Sequence, residues 1–90
     1  MMKFEVEESL RIIIKKIKKK DQILFWSIQK KIFQIINSQN INHYKNLKKP
    51  LQKYKRVHIK KSFVLLFYLK EDIIHFYDLK HHDQVYSKGI

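Results

Sequence analysis

Four residues of one short segment, Tyr54, Arg56, His58 and Lys60, recur at every second position. In an extended strand, alternate residues share a face. The spacing therefore predicts a row holding one aromatic ring, two cations and an imidazole. Cations meet phosphates, and a ring can stack a base. A second set, His81, His82 and Tyr86, follows the last apolar segment. Histidine is the side chain best matched to proton transfer near neutral pH. If the tail lies beside that strand, His82 and Tyr86 meet His58 and Arg56. One group would then take the proton of a ribose 2′-hydroxyl. Another would protonate the leaving oxygen, while Arg and Lys stabilise charge on the phosphate. The competing reading is a solvated strand face and ordinary exposed histidines. A metal site built from His75, His81, His82 and Asp83 is a further alternative, but the spacing matches no known ligand motif.

Charge narrows the choice. The 90 residues carry 20 Lys and Arg against 8 Asp and Glu, a net charge of +12, which calls for a polyanionic neighbour. Lys outnumbers Arg 18 to 2, and Ala and Thr are absent, so part of the excess reflects an AT-rich coding bias. That bias does not explain why Gln22 to Lys70 holds 11 Lys and Arg and no acidic residue. Lys15, Lys16, Lys18 and Lys19 form a separate cluster, and Lys53, Lys55 and Lys61 flank the strand. The only glycine is Gly89, which excludes glycine-rich phosphate loops. The chain has no Cys, which excludes disulfides and fits a reducing compartment. The longest apolar run, Phe63 to Leu69, is far too short to span a bilayer, so a cytoplasmic protein without a membrane partner is expected.

The elements that must position these residues follow from periodicity. Residues 2–7 alternate apolar and polar, as a half-buried strand does. Ser9 is the expected cap of a first helix, whose face is Leu10, Ile13, Ile14 and Ile17. Asp21 is the expected cap of a second, with Phe25, Ile28, Ile32, Ile35 and Ile36 turned inward. Trp26 reads as packing or as a patch for a protein partner. The segment 41–52 reads as a loop. Strands are expected at 54–60, Phe63–Leu69 and Ile73–Leu79, the last two joined as a hairpin through Lys70-Glu71-Asp72. His75 falls inside the last strand and reads as structural. The order β-α-α-β-β-β predicts an α+β fold, with an N-terminal helical hairpin on one face of a small antiparallel-rich sheet. Residues 1–90 form a single expected domain.

These residues, in this order, resemble the RelE/ParE toxin superfamily of type II toxin–antitoxin systems, in particular its RelE/YafQ-type branch and the archaeal members there. The resemblance rests on His43-Tyr44-Lys45-Asn46-Leu47, Tyr54-Lys55-Arg56-Val57-His58-Ile59, Ser62 to Tyr68, and His81-His82-Asp83-Gln84-Val85-Tyr86. It implies an mRNA interferase that cleaves messages on the ribosome through the 2′-hydroxyl, without metal or other cofactor. It also implies a cognate antitoxin, a short acidic protein held in a heterocomplex. By the same resemblance His58 matches a catalytic His, while His82 and Tyr86 match the tail His and aromatic. Ser62 stands where that branch has Asp, and Phe63 where it has Trp. An Arg of the family falls near Val64, so that Arg is missing and Arg56, Lys55 and Lys60 are the candidates to take its place; His43 is shifted from a further family His. The catalytic set implied is His58, His82, Tyr86 and Arg56. The RNA-binding set is Lys53, Lys55, Lys60, Lys61, Phe63, His81 and the Lys15–Lys19 cluster. Rival classes are a ParE-like toxin acting on gyrase, an inactive antitoxin-binding relative, and a plain nucleic-acid-binding module.

Overall fold

A computed structural model describes residues 1–82. Two helices, α1 (Glu8–Lys20) and α2 (Gln22–Ile36), lie between a first strand, β1 (Lys3–Val6), and three more, β2 (Lys55–Ile59), β3 (Phe63–Lys70) and β4 (Ile73–His81). The sheet order is β1-β4-β3-β2. β1 runs parallel to β4, and the β4–β3 and β3–β2 pairs are antiparallel. The expected α+β plan is therefore observed, as a four-stranded mixed sheet.

Asp21 separates the two helices alone. Its backbone N–H closes α1 on the Ile17 carbonyl at 2.7 Å, and its carboxylate accepts from Leu24 N at 3.0 Å to open α2. A side chain that satisfies an otherwise orphan N–H stabilises a helix by about 1 kcal/mol. The first helix differs from expectation. Its N-cap is Glu7, with no side-chain cap bond, and Ser9 lies inside the helix. Here the strand's last hydrogen bond, from Glu7 N to Phe76 O, sets the helix start instead.

The helices cover one face of the sheet. Leu10 and Ile14 of α1, with Leu24, Ile28, Ile32, Ile35 and Ile36 of α2, pack on Ile59, Leu65, Phe67, Ile74, Phe76 and Leu79. Trp26 does not join them. It is 66% exposed and lies edge to face with Phe25. The second face of β3 is covered by the segment before β2. Leu47 packs on Val64 and Leu66, with Leu51 and Tyr54 beside them. This explains why β3 is apolar on both faces. The expected loop begins with a single 3₁₀ turn at Ile41–His43 and closes onto β2 through an Asn46–Lys55 bridge.

Two irregularities matter for the site. Lys60 sits at φ 54°, beyond the end of β2, so it turns away from the row expected with Arg56 and His58. A left-handed conformation costs a residue with a Cβ about 1–2 kcal/mol. β4 also carries a bulge. Leu66 pairs with Asp78 and Phe67 with Phe76, which leaves Tyr77 as an extra residue. The bulge lets Phe76 and Leu79 both face the helices although three positions apart. It also resets the alternation, so that Lys80 and His82 face away from the helices.

Candidate functional site

The face of the sheet turned away from the helices holds the candidate site. His58 pairs across the ladder with Val64, and Val64 with Lys80, so the three share that face. Arg56, Leu66 and Asp78 form the next row. Val64 and Leu66 are buried under Leu47, so the polar side chains lie around this small apolar cluster. His82 N donates to Ser62 O at 2.7 Å, which ties the end of β4 to the β2–β3 turn. The His58 and His82 rings consequently lie 5.4 Å apart, tilted by 33°. Ser62 thus positions His82 through its backbone.

Electrostatics separate His58 from an ordinary surface histidine. Partial desolvation, then the Arg56 guanidinium, then His82, hold its pKa below the usual 6.5. Each cause disfavours the imidazolium. At neutral pH the ring is therefore neutral and able to accept a proton.

The other expected residues fall into three groups. Lys60 lies beside His58, in a groove between β2 and α2, and Lys61 is exposed in the same turn. Lys53 lies elsewhere on the open face, its ammonium 4.9 Å from the Tyr54 ring centre and 5.4 Å from that of Tyr68. Lys55, Phe63 and His81 differ from expectation. Lys55 is 8% exposed, and its ammonium donates to Tyr44 O at 3.3 Å and Asn46 Oδ1 at 3.0 Å. Strand alternation places it with Val57 and Ile59, facing the helices, so it pins the preceding segment rather than facing a ligand. Phe63 packs against the helix-side core, and His81 meets its ring edge at 5.7 Å. Both therefore lie on the face opposite His58. Lys15, Lys16, Lys18 and Lys19 are on α1, which packs on α2 and β4, while α2 is the helix that packs on β2. His43 hydrogen-bonds Asn40 O through Nδ1 at 2.6 Å, in the 3₁₀ turn. Tyr86 and Asp83 lie outside the described residues.

Sequence reasoning missed Lys80 on the site's own face. It pairs with Asp78 at 3.2 Å and supplies a cation one strand beyond Val64. The signal was the alternation Asp78, Lys80, His82. Among the described residues no cluster of three His, Cys, Asp or Glu could hold a metal ion, and no helix is long and apolar enough to cross a membrane.

His75 has a structural setting. Its ring stacks on Tyr68 at 4.8 Å, and Nδ1 lies 3.4 Å from Glu5 Oε2, joining β4 to β1. Tyr54 in turn stacks on Tyr77 at 4.9 Å and meets the edge of Tyr68. Tyr54, expected to offer a ring to a base, thus already has a stacking partner.

Comparison with known proteins adds to this geometry. No protein-family model matches the chain. A putative toxin, RelE4, of Methanocaldococcus jannaschii is 44% identical over 90 residues, covering 98% of this chain and 94% of the relative. Among solved structures, a YoeB/ParE toxin from Agrobacterium tumefaciens superposes with a TM-score of 0.75 at 14% identity, over 90% of this chain and 99% of that one. The toxin–antitoxin complex DinJ–YafQ of E. coli matches with a TM-score of 0.68 at 15% identity, over 96% of this chain and 99% of its counterpart. At such identities the two structures speak for the fold alone.

Proposed function

The chain belongs to the RelE toxin superfamily and is a toxin of a toxin–antitoxin system, and on that premise we propose that it is an endoribonuclease that cleaves messenger RNA on the ribosome. The observation that carries this reading is the His58–His82 pair, 5.4 Å apart beside Arg56. His58, neutral at physiological pH, is the general base. It takes the proton of a ribose 2′-hydroxyl, and the 2′-oxygen forms a bond to the adjacent phosphorus. The bond from phosphorus to the 5′-oxygen of the next nucleotide breaks. His82 gives a proton to that oxygen, leaving a 2′,3′-cyclic phosphate and a 5′-hydroxyl. Arg56 and Lys80 stabilise charge on the phosphoryl oxygens, a task worth several powers of ten when donors are preorganised. Tyr86 of the C-terminal tail is assigned to orient or stack a base next to the scissile bond. Exposed Lys53 and Lys61, with the Lys15–Lys19 cluster, add long-range attraction for RNA.

The partner proposed is a cognate antitoxin. YafQ is solved with an antitoxin, DinJ, and a +12 surface suits a short acidic protein. The test is expression with and without that antitoxin, with message ends mapped. New ends inside reading frames, absent in His58→Ala and His82→Ala variants that remain folded, are expected. Intact messages with a folded, unopposed toxin would overturn the reading, and a change in DNA supercoiling instead would point to a gyrase poison.

A further inference from the structure

Beside His58 the sheet does not end in open solvent. A groove of about 210 Å3 runs between the end of β2 and α2, lined by Ser27, Lys30, Lys31, Gln34, His58 and Lys60, with Ile59 at its base. The four α2 residues follow at three- and four-residue steps, so they form one polar stripe on that helix. Three lysines line the groove and no carboxylate does. The His58 imidazole is the one aromatic ring among its lining residues. Its volume is below the about 300–1,000 Å3 of a small-molecule pocket. Small size, concentrated positive charge and polar walls fit a length of phosphodiester backbone. Phosphate contacts of this kind set register and carry no sequence information.

Lys60 reaches the groove from the turn between β2 and β3. It is a non-glycine residue at φ 54°, at the mouth of the groove. Glycine would hold this turn without a Cβ penalty.

We propose that the groove over α2 is a phosphate subsite through which the RNA strand leaves His58, with Lys30, Lys31 and Lys60 on the phosphate next to the scissile one. This rests on the nuclease reading of His58 and extends it to the path of the substrate. The strand then crosses the sheet edge onto α2, not the aromatic half of the open face. Codon preference is independent of the groove.

The test is binding of a short, fully 2′-O-methylated RNA, which cannot be cleaved, over a range of salt. Lys30→Gln with Lys31→Gln is expected to weaken binding about tenfold at low salt. It should also flatten the plot of log affinity against log salt by about 0.7, the contribution of the one phosphate held there. Lys3→Gln with Lys70→Gln removes the same charge far from the groove, at the β1 edge and the β3–β4 turn, and should flatten it by less than half as much. Equal losses in both pairs, or no loss in the first, overturn the subsite. Lys60→Gly is expected to raise the thermal midpoint while weakening RNA binding severalfold. A higher midpoint with unchanged binding removes Lys60 from the subsite. Polyglutamate that binds the groove while the methylated RNA does not would assign it to an acidic peptide and overturn the proposal. RNA binding through the groove in a protein that leaves messages intact would sink the nuclease reading and keep the subsite.

Discussion

The face of the sheet turned away from the helices has two halves that share β3 and β4, and they treat their side chains in opposite ways. In one, Glu5, His75, Tyr68, Tyr54 and Tyr77 form a chain of contacts from β1 across to the segment before β2, with Lys53 above two of the rings. Its rings use one another's faces, and its histidine has a carboxylate neighbour. In the other, Arg56, His58, Lys80 and His82 lie around the buried Val64 and Leu66. There, among the described residues, Arg56 and Lys80 stand against the carboxylate of Asp78, and the His58 pKa is pushed down. The first half resembles a small polar-edged core. The second sets Arg56 and His82 close enough to His58 to disfavour its charge, with Lys80 paired to Asp78 beside them, the arrangement on which the proposed nuclease reading rests. Histidines occur in both, so residue type alone does not locate the chemistry. The neighbours do.

Substitution should separate the halves most sharply at the two facing histidines. His58→Gln and His82→Gln are each expected to lower message cleavage about 100- to 10,000-fold, the usual contribution of a positioned acid or base, with circular dichroism and thermal midpoint close to wild type. His75→Gln should leave cleavage within a few-fold and lower the midpoint instead. The reverse pattern would exchange the roles of the two halves. A second experiment breaks the aromatic half alone. Deleting Tyr77 removes the bulge but keeps Leu79 toward the helices and His82 toward His58. The expected outcome is a loss of about 0.5–1.5 kcal/mol from the Tyr54 stack alone, read by denaturant unfolding, with cleavage largely kept.

That bulge also shows what the sequence could convey. The helices were legible because Leu10, Ile13, Ile14 and Ile17 repeat at helical spacing, and Asp21 is an acceptor placed before an apolar run. The row Arg56–His58 was legible because β2 alternates without interruption. Strict alternation through β4, however, would put His82 on the side of Ile74 and Phe76, toward the helices. Only the extra residue at Tyr77 reverses that, and no local residue type announces it. Lys55 was misplaced for the opposite reason: alternation with Val57 and Ile59 already turned it inward, but a lysine was expected outside. Its burial requires oxygen partners, and these come from Tyr44 and Asn46, eleven and nine residues away. Lys30 and Lys31 were visible only as the polar side of α2, since nothing in the sequence says that this side faces the end of β2. Of the two readings of Trp26, packing or a patch for a protein partner, packing does not hold: it is 66% exposed, while Leu24, two residues earlier, is buried.

The smallest expected effect concerns pH and tests whether His58 is neutral for the reason given. Its pKa in the folded chain lies below 6.5, the usual value that the unfolded chain should show. The unfolded state therefore binds more protons as pH falls through 6.5, and folding weakens on acidification. The loss is complete once pH has passed below the folded value. His58→Gln removes that proton linkage, so the wild type should lose stability relative to the variant across this window and run parallel to it above. Arg56→Gln removes the nearer fixed cation while leaving the desolvation and His82 in place. It should shrink the loss without abolishing it, and move the acidic limb of cleavage, set by the base, toward higher pH. Lys53→Gln, in the aromatic half, should change neither. A limb that stays put in Arg56→Gln would mean that the guanidinium serves the phosphate alone and that His58 owes its neutrality to its other surroundings.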